Sequence, residues 1–220
     1  MFRCLSWTLI FLNTEEFAQE RGLNLQQKEK FTKNVFKYHG KKTLVLDLDE
    51  TLIFATSKKP LVYSTIITYH SRGVPIKVRF GYRQLYVQFR PYLKEFLEDM
   101  RERYELVVYT SADQGYADVV IDCIESEQQF FAHRLYQAQC LRKEGLYLFK
   151  DLEILCSNRV LSDIVLVDNL VRNYSLAVRN GVPIVDYKGA FDDCQLVHLA
   201  GYLRKLASEP SLPEAINKDF

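Results

Sequence analysis

An apolar run meets two aspartates spaced two apart, and a threonine two further on, in Thr43-Leu-Val-Leu-Asp-Leu-Asp-Glu-Thr-Leu52. Side chains alternate along an extended chain, so Asp47 and Asp49 share one side while Leu46 and Leu48 turn toward a core. Two carboxylates crowded into one small space attract a divalent cation and push one proton affinity above the other. Such a pair suits a nucleophile working beside a general acid. The chemistry in outline is phosphoryl transfer. Asp47 attacks phosphorus to form an aspartyl-phosphate, and Asp49 protonates the leaving oxygen and then takes a proton from the hydrolytic water. Thr110 and the backbone amides beside it can hold the non-bridging oxygens, and Lys150 can neutralise charge that builds on them. Magnesium, hard and oxygen-seeking, would take oxygen from Asp47 and Asn169 and keep several waters.

These residues need elements to bring them together. Thr43–Leu46 reads as a central strand buried on both faces. Arg90-Pro91 predicts a helix with proline in its first position and Leu93, Phe96, Leu97 and Met100 at helical spacing. Tyr104–Tyr109 is a second strand, ending at Thr110-Ser111-Ala112, and the next helix carries Tyr116, Val119, Val120 and Cys123. After a less regular stretch around His133–Tyr136 and Tyr147–Lys150, Ile164–Val167 leads into Asp168-Asn169. Val182–Val185 is a fourth strand, and Leu196, Leu199, Leu203 and Leu206 mark a closing helix. Alternating strands and helices predict a Rossmann-like α/β fold: a mostly parallel sheet with right-handed crossovers and helices on both faces. In such sheets ligands gather outside the carboxyl ends of the strands, where Asp47, Asp49, Thr110, Asp168 and Asn169 all fall. Between them, Ser64–His70, Pro75–Phe80 and Leu85–Phe89 predict a small antiparallel insertion over 56–89, whose Tyr63, Tyr69, Tyr82 and Tyr86 either pack within it, the more frequent use of such residues, or pave a docking surface.

At 220 residues and 48% hydrophobic the chain suits one globular domain. A net charge of +1, from 29 basic and 28 acidic residues, carries no signature of nucleic-acid binding, and none is expected. Five scattered cysteines without a Cys-x-x-Cys pair suggest neither a disulfide framework nor a zinc knuckle, and fit a reducing intracellular compartment. The apolar run Leu5–Leu12 falls short of the roughly 18 residues a membrane span needs. Packing of this run on the domain is the plainer reading, and membrane association of the N-terminus stays open.

In combination and order, Asp47-x-Asp49-x-Thr51, Thr110-Ser111, Lys150 in Phe-Lys-Asp-Leu152 and Val-Asp168-Asn169 resemble the four motifs of the haloacid dehalogenase superfamily. With Arg90-Pro91, Tyr104-Glu-Leu-Val-Val-Tyr-Thr110, Arg134-Leu-Tyr136 and Cys140, the chain resembles the small phosphatases of the RNA polymerase II C-terminal domain and their nuclear-envelope relatives. The likeness spans about residues 40–207. It implies a magnesium-dependent phosphoserine/phosphothreonine phosphatase acting on a phosphoprotein or phosphopeptide. Nuclear and membrane-associated members share these motifs, so the expected location is intracellular, nuclear or cytoplasmic first, with membrane association left open. By this likeness Asp47 is nucleophile and metal ligand, and Asp49 is general acid/base and lends its backbone carbonyl to the metal. Thr51 supports the loop, Thr110 and Lys150 bind phosphate, Asp168 sits beside Lys150, and Asn169 is the second side chain on magnesium. The implied organisation is a lead-in over 1–40, a phosphatase domain over 41–207 and a tail over 208–220.

Three positions depart from the family pattern. Gln137 stands where a second arginine is usual, near the phosphopeptide, Leu170 replaces a serine, and Ser111-Ala112 inverts the usual order. None removes a catalytic group. A phosphatase of small metabolites would ordinarily carry a larger lid than the 38 residues between Thr51 and Arg90 supply. A non-catalytic binding module on the same fold typically lacks one of the acidic residues kept here. Taken alone, Thr110 is equally a capping residue and Lys150 a surface solvator. His133 and His198 have no partner at metal-ligand spacing, and Cys140 reads as packed.

Overall fold

The computed structural model describes residues 40–59, 76–80, 83–143, 147–156 and 158–219. The lead-in, the strand expected at Ser64–His70, and Tyr63, Tyr69 and Tyr82 lie outside the described residues. Along the chain come β1 (Lys42–Leu46), β2 (Ile53–Thr56), β3 (Ile76–Phe80), β4 (Arg83–Phe89), α1 (Leu93–Arg103), β5 (Tyr104–Tyr109) and α2 (Gln114–Ile124). There follow β6 (Phe131–Leu135), β7 (Leu141–Lys143), β8 (Tyr147–Phe149), β9 (Ile164–Asp168), β10 (Gly181–Pro183), α3 (Gln195–Leu206) and α4 (Leu212–Asp219).

Five strands form one parallel sheet in the order β10-β9-β1-β5-β6. β1 is central because Leu44, Val45 and Leu46 are apolar on both sides, and all three are fully buried. Leu44, Leu46, Leu106, Val108, Val165 and Val167 share one core with α1, α2, α3 and α4. The intervening Val45, Val107, Tyr109, Ile164 and Leu166 pack in a second core, with Leu152, Ile154, Leu155 and Tyr174 of two 3-10 helical segments, Leu152–Leu155 and Val171–Asn180. Helical turns thus cover both faces, but α-helices dominate only one.

β6 is a fifth strand in the stretch read as less regular. As an edge strand it keeps Ala132 exposed and His133 and Arg134 half exposed, so it lacks the continuous apolar run that marks a central strand. α1 starts two residues beyond Pro91, with Tyr92 as its cap in the left-handed region at φ 66°. The reason lies in Arg90. Its amide donates to the Leu52 carbonyl, its own carbonyl accepts from the Leu93 amide, and the chain must turn there before a helix can begin. Antiparallel β2, β4 and β3 form a separate sheet in that order, starting at Ile53 directly after the acidic motif. Residues expected to be a tail instead contain α4, whose Leu212, Ala215 and Ile216 are buried.

Candidate active site

Where β1 ends, the chain folds into a tight loop. The amides of Leu52 and Ile53 both donate to the Leu48 carbonyl, at 2.9 and 3.1 Å, and Glu50 takes a left-handed φ of 60° to close the turn. The loop turns Asp47 into the space beyond the sheet while Leu48 stays in the core. One Asp47 carboxylate oxygen accepts from the Lys150 ammonium at 2.5 Å, the other from the Thr51 hydroxyl at 2.9 Å. Lys150 also donates to Asp168 at 2.6 Å and is 1% exposed. Two carboxylates from the ends of neighbouring strands therefore grip one buried ammonium.

Asp168 is itself fixed by the Leu170 amide at 2.8 Å and by Asn173 Nδ2 at 3.0 and 3.1 Å. Asn169 points its Oδ1 at the Thr51 hydroxyl, 3.4 Å away, while its Nδ2 donates to Asp186 at 2.9 Å and reaches Glu50 at 3.5 Å. Lys188 pairs with both Glu50 and Asp186. Asp49, half buried, accepts from the Tyr116 hydroxyl at 2.6 Å. Thr110 follows β5, donates its amide to the Leu135 carbonyl at 2.9 Å, and its hydroxyl accepts from the Ala112 amide at 3.1 Å.

Burial pushes the Asp47 carboxyl up to about 7, the Lys150 ammonium pulling it down and Asp168 adding to the rise. Burial likewise raises Asp49, opposed by the Tyr116 hydrogen bond and by Lys150. Burial alone would lower Lys150, but Asp47 and Asp168 outweigh it, so the ammonium is held above its usual range. Three carboxylates face one ammonium. Oxygens of Asp47 and Asn169 meet at the Thr51 hydroxyl, which fits a small hard cation taking two protein side chains and several waters.

The structure thus brings Asp47, Thr51, Lys150, Asp168 and Asn169 into direct contact, with Asp49 on the same loop and Thr110 at the end of the adjacent strand. Several residues of this site carry no sequence signal. Tyr116, Asp186 and Asn173 hold Asp49, Asn169 and Asp168, and only Asn173, four beyond Asn169, lies close enough for spacing to suggest it. Arg90 is 1% exposed. It donates to the Thr51 and Val185 carbonyls at 2.9 and 2.8 Å and to both oxygens of Asp193, each at 2.9 Å, tying the acidic loop to the segment after β10. Arg134 does not reach the site, because Asp118, Asp122 and Glu125 occupy its guanidinium. Cys140 is buried against the Thr110 carbonyl, and burial pushes its thiol up to about 11. His198 lies 3.3 Å from the Cys194 sulfur, and His133 faces Glu105 at 3.8 Å, both away from the site.

Nuclear envelope morphology protein 1 of Saccharomyces cerevisiae is 32% identical over 207 residues, 88% of this chain and 45% of that protein. The human CTD small phosphatase-like protein is 33% identical over 180 residues, 82% of this chain and 61% of that protein. The chain spans about half the length of the curated relatives it matches. The solved structure of Fcp1, described as an essential RNA polymerase II CTD phosphatase, superposes with a TM-score of 0.61 at 17% identity. That match covers 85% of this chain and 65% of Fcp1, a likeness of fold. The family model described as NLI interacting factor-like phosphatase matches residues 42–213, and the chain belongs to that family.

Proposed function

We propose that the chain is a magnesium-dependent protein phosphatase that removes phosphate from serine or threonine side chains through an aspartyl-phosphate. The observation that carries this reading is Asp47, held at a strand end between the Lys150 ammonium and the Thr51 hydroxyl. Two donors fix its carboxylate, so the attacking oxygen is aimed before substrate arrives. An Asp47 oxygen attacks phosphorus, the ester P–O bond breaks, and Asp49 gives its proton to the leaving serine or threonine oxygen. In the second step Asp49 takes a proton from water as that water attacks phosphorus, the bond to Asp47 breaks, and inorganic phosphate leaves. Burial favours the protonated Asp49 needed to start. Thr110 and Lys150 hold the non-bridging oxygens. Asp47, Asn169 and the Asp49 carbonyl are the proposed magnesium ligands. Bound magnesium supplies charge neutralisation on the transferring phosphoryl group.

Protein substrates are favoured over small metabolites by the covering sheet, which is three short antiparallel strands and no helix among the described residues. The names of the relatives point the same way, toward phosphoprotein substrates and toward the nucleus or its envelope as the place of action. No helix among the described residues is long and apolar enough to cross a membrane. The deciding experiment is phosphate release from phosphoserine peptides and small monoesters, with and without chelator, beside Asp47→Asn. Peptide turnover that is lost on chelation and falls at least about a thousandfold in the folded mutant is expected. Near-normal activity in that mutant would sink the mechanism, and preference for small monoesters would favour a metabolite phosphatase.

A further inference from the structure

Both stems of the β7-β8 hairpin enter the site: Lys150 directly follows β8, and Cys140, directly before β7, rests its sulfur 3.7 Å from the Thr110 carbonyl. Cys140 is extended, with φ −75° and ψ 146°, so Arg142, two residues further out, emerges on the same face of the strand. Two residues of strand carry it roughly 7 Å toward solvent. Arg142 is exposed, at the rim above the Thr110 loop.

Its direction is set by Gln137. The Gln137 amide donates to the Ala112 carbonyl at 2.9 Å, and its side-chain Nε2 donates to the Ser111 carbonyl at 3.2 Å. With the nitrogen end of the carboxamide fixed on the phosphate loop, its oxygen end faces outward and accepts from Arg142 Nη2 at 3.0 Å. One guanidinium nitrogen is thereby anchored, and the remaining N–H donors are left for a ligand. Among the described residues Arg142 forms no ion pair. Arg134 is already held by three carboxylates, and Lys188 lies between Glu50 and Asp186. A planar fork of donors fixed beside a phosphate site is suited to a two-oxygen anion.

We propose that Arg142, aimed by Gln137, determines specificity by receiving a second anionic group of the phosphopeptide, a carboxylate or another phosphate, close to the phosphate that enters the site. This rests on the protein-phosphatase reading. Gln137 acts through Arg142 and is a positioning residue.

The test uses the whole chain with magnesium and one phosphoserine peptide in three forms. One has neutral flanks, one carries glutamate scanned over the four positions on either side, and one carries a second phosphoserine at the same positions. p-Nitrophenyl phosphate is the substrate without flanks. Wild type is expected to prefer at least one anion-flanked form, and the form preferred identifies the anion. In Arg142→Ala the ratio of kcat/KM between that form and the neutral peptide falls roughly three- to tenfold, carried by KM. Arg142→Lys keeps part of the preference, since the point charge survives without the fork. Gln137→Ala lowers the same ratio, and adds nothing further in the Arg142→Ala background. Absence of any flank preference in wild type, or an Arg142→Ala effect equal on neutral and anionic peptides, overturns the proposal while leaving the phosphatase reading intact. Turnover of p-nitrophenyl phosphate without turnover of any peptide overturns the protein-phosphatase reading itself.

Discussion

Asp49 accepts a hydrogen bond from a tyrosine on a different element, and this contact has a measurable consequence. A general acid, the role proposed for Asp49, must point its proton at the leaving oxygen, and Tyr116, at 2.6 Å, is placed to orient that carboxyl group. Tyr116→Phe keeps the ring and removes the hydroxyl, so kcat should fall roughly tenfold with KM little changed, the worth of one hydrogen bond to a charged group. Steady-state kinetics on a phosphopeptide checks this, and a change confined to KM would assign Tyr116 to substrate binding instead. Asp186 plays the corresponding part for Asn169, because accepting from Nδ2 leaves Oδ1 facing Thr51. With Asn169 as a proposed ligand, Asp186→Ala should weaken divalent-cation affinity at least tenfold, as loss of a supporting contact to a ligand does. Mn2+ titration followed by EPR reads that affinity without turnover. Glu50→Gln removes a nearby negative charge at a longer contact, and equal losses in both variants would reduce the effect to simple charge. Asp47, Asp49 and Thr51 were legible in the sequence because their spacing is local. Tyr116 and Asp186 were not, because their partners lie 67 and 17 positions away and neither type stands out in a helix or loop.

Within the parallel sheet, the strands read most plainly from the sequence were those buried on both sides. β1, β5 and β9 are near-continuous apolar runs, and each ends in the polar residues the site uses. β6 was hidden by its half-exposed edge, and the second face by its cover. The 3-10 segments Leu152–Leu155 and Val171–Asn180 lack an extended 3.6-residue stripe, and Tyr174 and Ala177 interrupt the latter with non-helical geometry. Close packing in that cover is nevertheless specific. A Cβ added to Gly181 would lie 2.1 and 2.2 Å from two ring carbons of Tyr174, which is 1% exposed. Gly181→Ala must move that ring or β10, and should destabilise the fold by about 2–3 kcal/mol, as overpacking does. Urea unfolding measures this directly, and a loss under about 0.5 kcal/mol would mean that the ring swings aside freely.

Across the whole molecule, charge is distributed unequally between the two ends of the sheet. Toward the amino ends of the strands, Glu105 is matched by Arg159, with Thr43 sharing the contact, so that buried charge is paired without help. At the carboxyl ends, Lys150 is the cation that Asp47, Asp49 and Asp168 face among the described residues, and burial raises Asp47 far above its ordinary range. Burying an excess of like charge costs stability, which bound cation offsets. Magnesium should therefore raise the melting temperature, by an amount that grows with the logarithm of its concentration once above the dissociation constant. Asp47→Asn removes one of the crowded carboxylates and leaves Lys150 paired with Asp168. Without metal this variant should melt above the wild type, and magnesium should raise it far less. Thermal unfolding of both proteins, in chelator and across a magnesium titration, decides the matter. A variant that melts below wild type in chelator would show that the Asp47–Lys150 pair outweighs the repulsion, and the site would then be a structural ion pair before it is a metal site.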